Sequence, residues 1–283
     1  MAIIAGGITI EEGIPRPVNP FGRTRVVPSG TTIQSAVDAA DSGDVIYVEA
    51  GEYDESVTIG PTKTNLTLIG IGGRGAVFIA PTTANPTALT VNAEDFTLIN
   101  VGCEGDGTGR GLKVTGARFR AYGSKFEGGA EACRFGPGTD AQITAATHGD
   151  AGDGLFDDCE FAWSTRGLMI AASDYGAVTQ LLIRNCRFHN LSTAHIDEVG
   201  AGGGVTASIQ YRNLEISDCL FDDDEGGAAP TAFIILNDDN GNDGIVTRCA
   251  FPSAIAGGKN LVSTALHWVA NYHTGGVSTA QPS

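Results

Sequence analysis

FDDCEF (156–161), IRNCRF (183–188), ISDCLF (216–221) and VTRCAF (246–251) are four copies of one phrase. Each runs apolar, any residue, a polar turn-former or Arg, Cys, any residue, Phe. The four Cys, at 159, 186, 219 and 249, stand 27, 33 and 30 residues apart. AYGSKF (121–126) is a weaker copy, with Ser124 in the Cys place and Phe126 in the Phe place. NVGCEG (100–105) reads as an earlier one, with Cys103 but no Phe. Recurrence at this period is the mark of a solenoid. The units are short, rich in Val, Ile and Phe, and bounded by Gly, Asp and Asn, which makes them strands. The long 3.6-periodic stretches that helical repeats require do not occur.

The phrase carries its own geometry. Cys186 and Phe188 are two apart and share a strand face, whereas Ile183 falls on the opposite face of a straight strand. A bend at Asn185 returns Ile183 to the inside, and the same bend is expected at Asp158, Asp218 and Arg248. The chain turns a corner there, so successive coils stack Cys on Cys and Phe on Phe. A second series of strands runs ALTV (88–91), GLKV (111–114), EACRF (131–135), GLMIA (167–171), HIDEV (195–199) and AFIIL (232–236), with Cys133 out of frame with the other cysteines. The cysteines read as a ladder of small hydrophobes. Metal or redox roles call for close pairs such as C-x-x-C, and none is present.

Of 283 residues 40 are Gly, about twice the usual share, and they cluster between apolar runs as turns. With 42% hydrophobic and 18% charged residues the chain has material for a sizeable core, which excludes disorder over most of its length. A net charge of −16 repels phosphate backbones and anionic lipid. No nucleic-acid partner and no membrane is therefore expected. The start, MAIIAGGITIEEGIPRPVNP, has no basic n-region, so synthesis and folding in a cytoplasm, with reduced cysteines, are expected.

TTIQSAVDAADSGDVIYVEAGEYDESVTI (31–59) differs in kind. Thr31 and Gln34 fit a T-x-x-Q capping box, and Ile33, Ala36, Val37 and Ala40 follow at helical spacing. A helix ending near Ser42–Gly43, laid across the first coil, would shield it. The stretch resembles the start of pectin-lyase-like right-handed parallel β-helices. It is most similar to pectin methylesterases, which show T-I-Q-x-A-V-D-A-A, then G-D-x-I-x-V, then G-x-Y-x-E-x-V-x-I. The matching residues include Ile33, Gln34, Ala36, Val37, Gly51, Tyr53, Glu55 and Val57, and with the repeats the resemblance covers roughly 31–260. It implies an all-β chain, a single-stranded right-handed parallel β-helix of about eight coils with a short N-terminal capping helix. The expected organisation is an extended arm over 1–30, the β-helix over 31–260, and a C-terminal cap segment and tail over 261–283.

The resemblance does not reach the catalytic segments. Pectin methylesterases use two Asp with Gln and Arg in motifs resembling QDTL, DFIFG and LGRPW, none of which occurs here. The W-x-D-H and R-x-P-x-x-R segments of pectate lyases are missing too. Asp157-Asp158-Cys159 matches the DD-C motif of polygalacturonases, where two carboxylates serve as acid and base. It is equally one copy of the repeat phrase, and the N-T-D, G-H-G and R-I-K segments have no counterparts. His189, and His195 near Asp197 and Glu198, could form a His–carboxylate site, although scattered surface His is the commoner case. Asp222-Asp223-Asp224-Glu225 and Asn237–Asp243 (NDDNGND) are acidic loops that could hold Ca²⁺, with solvated turns as the default. No catalytic, cofactor or metal residue is assigned.

Three functions follow. The expectation is a non-catalytic virion structural protein, a phage capsid decoration (cement) or head-fibre protein. It would dock through its terminal arms on the major capsid protein or other virion proteins, form a homotrimer and assemble in the host cytoplasm. Arg16, Arg23 and Arg25 would make the arm the docking element. The alternatives are a tailspike-like polysaccharide-degrading enzyme, lyase or glycoside hydrolase, and a carbohydrate-binding adhesive module; at 7% aromatic content, only Trp163 and Trp268 offer Trp platforms for sugar.

Overall fold

The computed structural model describes residues 22–136, 151–170, 178–198, 211–222, 230, 232–236, 243–252 and 266–273. It also gives the backbone of 3–5, 8–11, 14–17 and 276–278. Parallel strands stack into a coil with three faces. The first sheet has ten strands, one per coil: Thr24–Val27, Val45–Val48, Thr67–Gly70, Thr97–Ile99, Arg120–Tyr122, Leu155–Asp157, Leu182–Arg184, Leu214–Ser217, Gly244–Thr247 and Leu266–Val269. The second holds Gly51–Tyr53, Val77–Ile79, Val101–Gly105, Lys125–Gly128 and Leu220–Phe221; the third holds Val57–Ile59, Thr87–Val91, Arg110–Val114, Glu131–Phe135 and Ala232–Ile235. Two long strands, Glu160–Ile170 and Arg187–Glu198, run through both and fuse them.

The expected corners are present. Asp158, Asn185, Asp218 and Arg248 each have φ +54°, in the left-handed region that turns a strand sharply. Asn100 (+57°), Gly123 (+55°) and Ala270 (+52°) occupy the same corner in other coils. The corner amides from Asn100 to Arg248 donate to the coil above, as in Asn185 N–H to the Ser217 carbonyl at 3.1 Å, so the ladder is unbroken through these bends. Beyond it the Cys column points inward. The Cys186 thiol donates to the Arg184 carbonyl at 3.2 Å, and Ser124 Oγ–H makes the same bond to Tyr122 at 3.1 Å. The Phe column is in register from Phe126 through Phe161 and Phe188 to Phe221. Phe161–Phe188, Phe188–Phe221 and Phe221–Phe251 stack nearly parallel, with centroids 4.6, 5.1 and 4.7 Å apart. Offset aromatic stacks of this kind add to plain area burial.

Four expectations are corrected. Cys103 pairs with Phe126 and so sits in the Phe column, with Val101 in the Cys place. The cause is the corner at Asn100, which sets the frame irrespective of residue type. The coils exceed about eight because both ends contribute strands. Thr24–Val27, within the segment read as an arm, pairs in parallel with Val45–Val48, and Leu266–Val269, within the segment read as a tail, pairs in parallel with Gly244–Thr247. The last coil repeats the phrase without its marker residues, since Ala270 is the corner and buried Asn271 fills the Cys place, accepting from Cys249 N–H at 2.8 Å. Finally, the helix (Ile33–Ala39) starts after Thr32 with no side-chain cap of its own. Its free amides, Ile33 N–H and Gln34 N–H, donate to the Glu55 carboxylate at 2.5 and 3.0 Å.

The helix packs against the first coil. Ile33 and Val37 are buried against the core. Gln34 supplies the edge strand Val57–Ile59 with the partner a missing coil would have given. Its Oε1 accepts from Thr58 N–H at 2.7 Å and its Nε2 donates to the Thr58 carbonyl at 3.3 Å. Asp44 is buried and accepts from Arg23 N–H, Asp41 N–H and Arg25 Nε. Burial opposes its charge, but these donors hold its carboxyl below the usual carboxylate range.

Candidate functional site

The outer face of the second sheet carries a group of ionisable side chains. Strand alternation sends the residues flanking the Phe column outward. Strand register then stacks them as two rows. One row reads Glu52, Phe78, Gly102, Lys125, Glu160, Arg187 and Leu220; the other reads Ala80, Glu104, Glu127, Ala162, His189 and Asp222.

At the lower end lies an open cleft of about 480 Å³ lined by Glu52, Phe78, Glu104, Lys125 and Glu127. The Phe78 ring lies flat over Gly102, where a Cβ would come within 2.7 Å of the ring. Glycine is needed there to seat it. The Lys125 ammonium stands 5.8 Å from the ring centre and 2.6 Å from the Glu127 carboxylate. Partial burial, then the Glu127 and Glu52 charges, raise the Glu104 carboxyl above the ordinary range, with Lys125 opposing. Glu104 and Glu127 are register partners on adjacent strands. A carboxyl of raised pKa beside one paired with a cation is the arrangement of a proton donor and a base.

Farther up, the His189 imidazole is buried between Glu160 Oε1, 3.0 Å from Nε2, and Asn190 Nδ2, 2.9 Å from Nδ1. With Asn190 donating to Nδ1, the Nε2 proton faces Glu160. That bond, aided by Lys125 and Arg74, holds Glu160 below the usual range. His189 therefore does form a His–carboxylate pair, with Glu160 instead of Asp197 or Glu198. His195 does not join it. Its ring is fully buried in the Phe column, stacked on Phe188 and Phe221 and edge-on to Phe233. Asp197 pairs with Arg166 at 2.6 Å, and the Glu198 side chain lies outside the described residues.

Asp157 and Asp158 form no joint site. Asp157 takes Arg184 (3.0 Å) and Asn185 (2.8 Å) on the first sheet, while Asp158 at the corner takes Arg74 (2.6 Å). Of the acidic loops, 223–225 and 237–242 lie outside the described residues; Asp222 pairs with Arg187 at 3.1 Å, and Asp243 accepts from Asn213 N–H. Among the described residues no group of three or more His, Cys, Asp or Glu is placed to hold a metal ion, and no helix is long and apolar enough to cross a membrane. The six cysteines are buried free thiols. Burial pushes Cys103, Cys133 and Cys186 upward, and we take Cys219 as neutral as well, because its thiol donates to the Ser217 and Ile183 carbonyls.

No protein-family model matches the sequence, and no curated protein matches it. Solved structures do match in shape. A Paenibacillus alginate lyase aligns with TM-score 0.60 at 14% identity over 89% of this chain and 96% of its own. The rice weevil pectin methyl esterase aligns with TM-score 0.56 at 13% identity over 92% and 82%. The carrot pectin methylesterase aligns with TM-score 0.51 at 14% identity over 93% and 86%. The likeness is one of fold: like these structures, the chain is a right-handed parallel β-helix. The residues that carried the sequence resemblance, Gln34, Tyr53 and Glu55, belong to the end cap. Gln34 and Glu55 bridge helix and strands, and the Tyr53 hydroxyl donates to the Glu49 carbonyl at 2.8 Å.

Proposed function

We propose that the chain is a non-catalytic structural protein of a virus particle, a phage decoration (cement) or head-fibre protein. The observation that carries this reading is a separate three-stranded antiparallel sheet, Ile3–Ala5, Ile8–Glu11 and Ile14–Pro17. Among the described residues none of its strands pairs with the coils. A small sheet appended to a rigid, capped stack suits attachment at one end with the acidic body facing solvent. The docking charge is narrower than the sequence implied. Arg25 is bound to Asp44 at 2.9 Å and Arg23 lies 3.9 Å from Asp41. Capsid or other virion proteins are the proposed partners, and a homotrimer the proposed assembly. Deleting residues 1–21 tests this without removing a coil strand. The shortened protein is expected to keep its thermal midpoint and lose co-sedimentation with particles; full occupancy on particles would overturn the proposal.

The cleft favours a second reading, a polysaccharide-acting enzyme with Glu104 as proton donor and Glu127 as base. Release of reducing ends or of unsaturated products from a polysaccharide panel, abolished by Glu104→Gln, is the outcome this reading requires. A panel without turnover removes it.

A further inference from the structure

The outer face of the second sheet ends at a corner occupied by an exposed tryptophan. Trp163 has φ +50°, and its indole is 53% exposed. A bulky side chain in the left-handed region costs about 1–2 kcal/mol relative to Gly. Its register neighbour in the next coil, Asn190, has φ +53° and is a residue that suits that conformation. The coil imposes this corner whatever residue fills it, as at Arg248 and Ala270, so what calls for a ligand is the large indole held in water at it. The indole stands edge-on to the His189 ring, 6.4 Å between centroids, beside the Glu160 pair. Phe78, seated flat on Gly102, is a second aromatic surface on the same face. Three strand steps separate the Phe78 row position from Glu160, which places the two aromatic groups roughly 14 Å apart along the stack, at about 4.8 Å per step. Lys125 and Glu127 lie between them, with Glu160 and His189 beside the indole, and all four offer hydrogen-bond donors or acceptors.

We propose that this face binds an uncharged oligosaccharide laid across the strands, gripped by Trp163 at one end and Phe78 at the other. Aromatic faces at both ends with charged hydrogen-bonding groups between suit sugar rings, which present apolar C–H faces and hydroxyl edges. The ligand carries no carboxylates. Glu52, Glu104 and Glu127 line the Phe78 end, so a polyuronate would bring like charges together in a partly desolvated cleft. The inference rests on neither function above, because it requires binding and no turnover.

Isothermal titration with maltohexaose, cellohexaose, chitohexaose and hexagalacturonate tests it, with tryptophan emission as a second readout. Trp268 is only 8% exposed, so a change in emission reports Trp163. At least one uncharged hexasaccharide is expected to bind saturably and shift the emission to the blue. Its affinity should fall tenfold or more in Phe78→Ala and in Trp163→Asn, and hexagalacturonate should give no heat. Trp163→Asn suits the backbone and is expected to melt no lower than the parent, so its loss of affinity cannot be ascribed to unfolding. The proposal is overturned if no uncharged probe binds, if hexagalacturonate binds as tightly, or if Trp163→Asn binds undiminished.

Discussion

His195→Phe should convert an acid-sensitive coil into an acid-tolerant one. Neither ring nitrogen of His195 has a hydrogen-bond partner among the described residues. Burial, then the nearby His189, pushes its pKa down to about 3. The unfolded chain titrates this group near 6.5. The folded pKa is depressed, so below pH 6.5 the unfolded chain binds the extra proton, and stability is lost as pH falls towards 3. At about 1.36 kcal/mol per pH unit, the loss is about 2 kcal/mol at pH 5 and about 3 kcal/mol at pH 4, relative to pH 7.5. Phe is the fitting replacement, because the next coil already carries Phe233 at the equivalent position, 4.9 Å from the imidazole. It also removes two unsatisfied polar atoms, each costing on the order of 1 kcal/mol or more. Urea midpoints of parent and His195→Phe at pH 7.5, 6, 5 and 4 give the test. The carboxylates titrate alike in both proteins, so the difference isolates position 195. The gap should widen by about 2 kcal/mol between pH 7.5 and 5; a gap that stays constant would refute the buried, neutral imidazole.

Three further outcomes follow from the same packing. Phe221→Ala removes a ring stacked between Phe188 and Phe251 and should cost about 3–5 kcal/mol, read as a lowered denaturation midpoint. Cys186→Ser should cost about 1 kcal/mol or less, because Ser124 makes the same inward bond to its own strand; dithionitrobenzoate should label the six thiols only as the coils unfold. Glu55→Ala strips the acceptor from two helix amides and should cost about 1–2 kcal/mol, with loss of hydrogen-exchange protection confined to Ile33–Ala39 and its neighbours.

The repeat was legible because Cys and Phe are conspicuous and the corner that separates them from the apolar residue upstream is local. Where the corner survives without those markers, as at Ala270-Asn271, or with only one of them, as at Asn100 to Cys103, the phrase could not be placed. The helix cap was misread for a different reason: its acceptor, Glu55, lies 22 residues downstream and reaches Ile33 only once the first coil has closed. The cleft is of the same kind. Glu104 and Glu127 become neighbours through coil register, which no local pattern displays. His189 and His195, six apart, would share a face on a straight strand. Asn190, in the left-handed conformation, turns the chain between them, leaving one outside and the other in the core.

The chain returns from the third sheet to the first through stretches of very unequal length. In the lower coils these are 60–66, 92–96 and 115–119; higher up 19, 11, 15 and 8 residues separate Phe135 from Leu155, Ile170 from Leu182, Glu198 from Leu214 and Ile235 from Gly244, with Ala151–Gly152, Val178–Thr179 and Tyr211–Arg212 pairing in parallel just before the first sheet is re-entered. The rows of the core stay in register regardless, since each strand is positioned by the coil beneath it. One edge of the stack is therefore a series of insertion points at a fixed pitch of about 4.8 Å. A lineage can lengthen or exchange these segments one at a time without retuning the scaffold, and an engineer can do the same to display a row of peptides at set spacing.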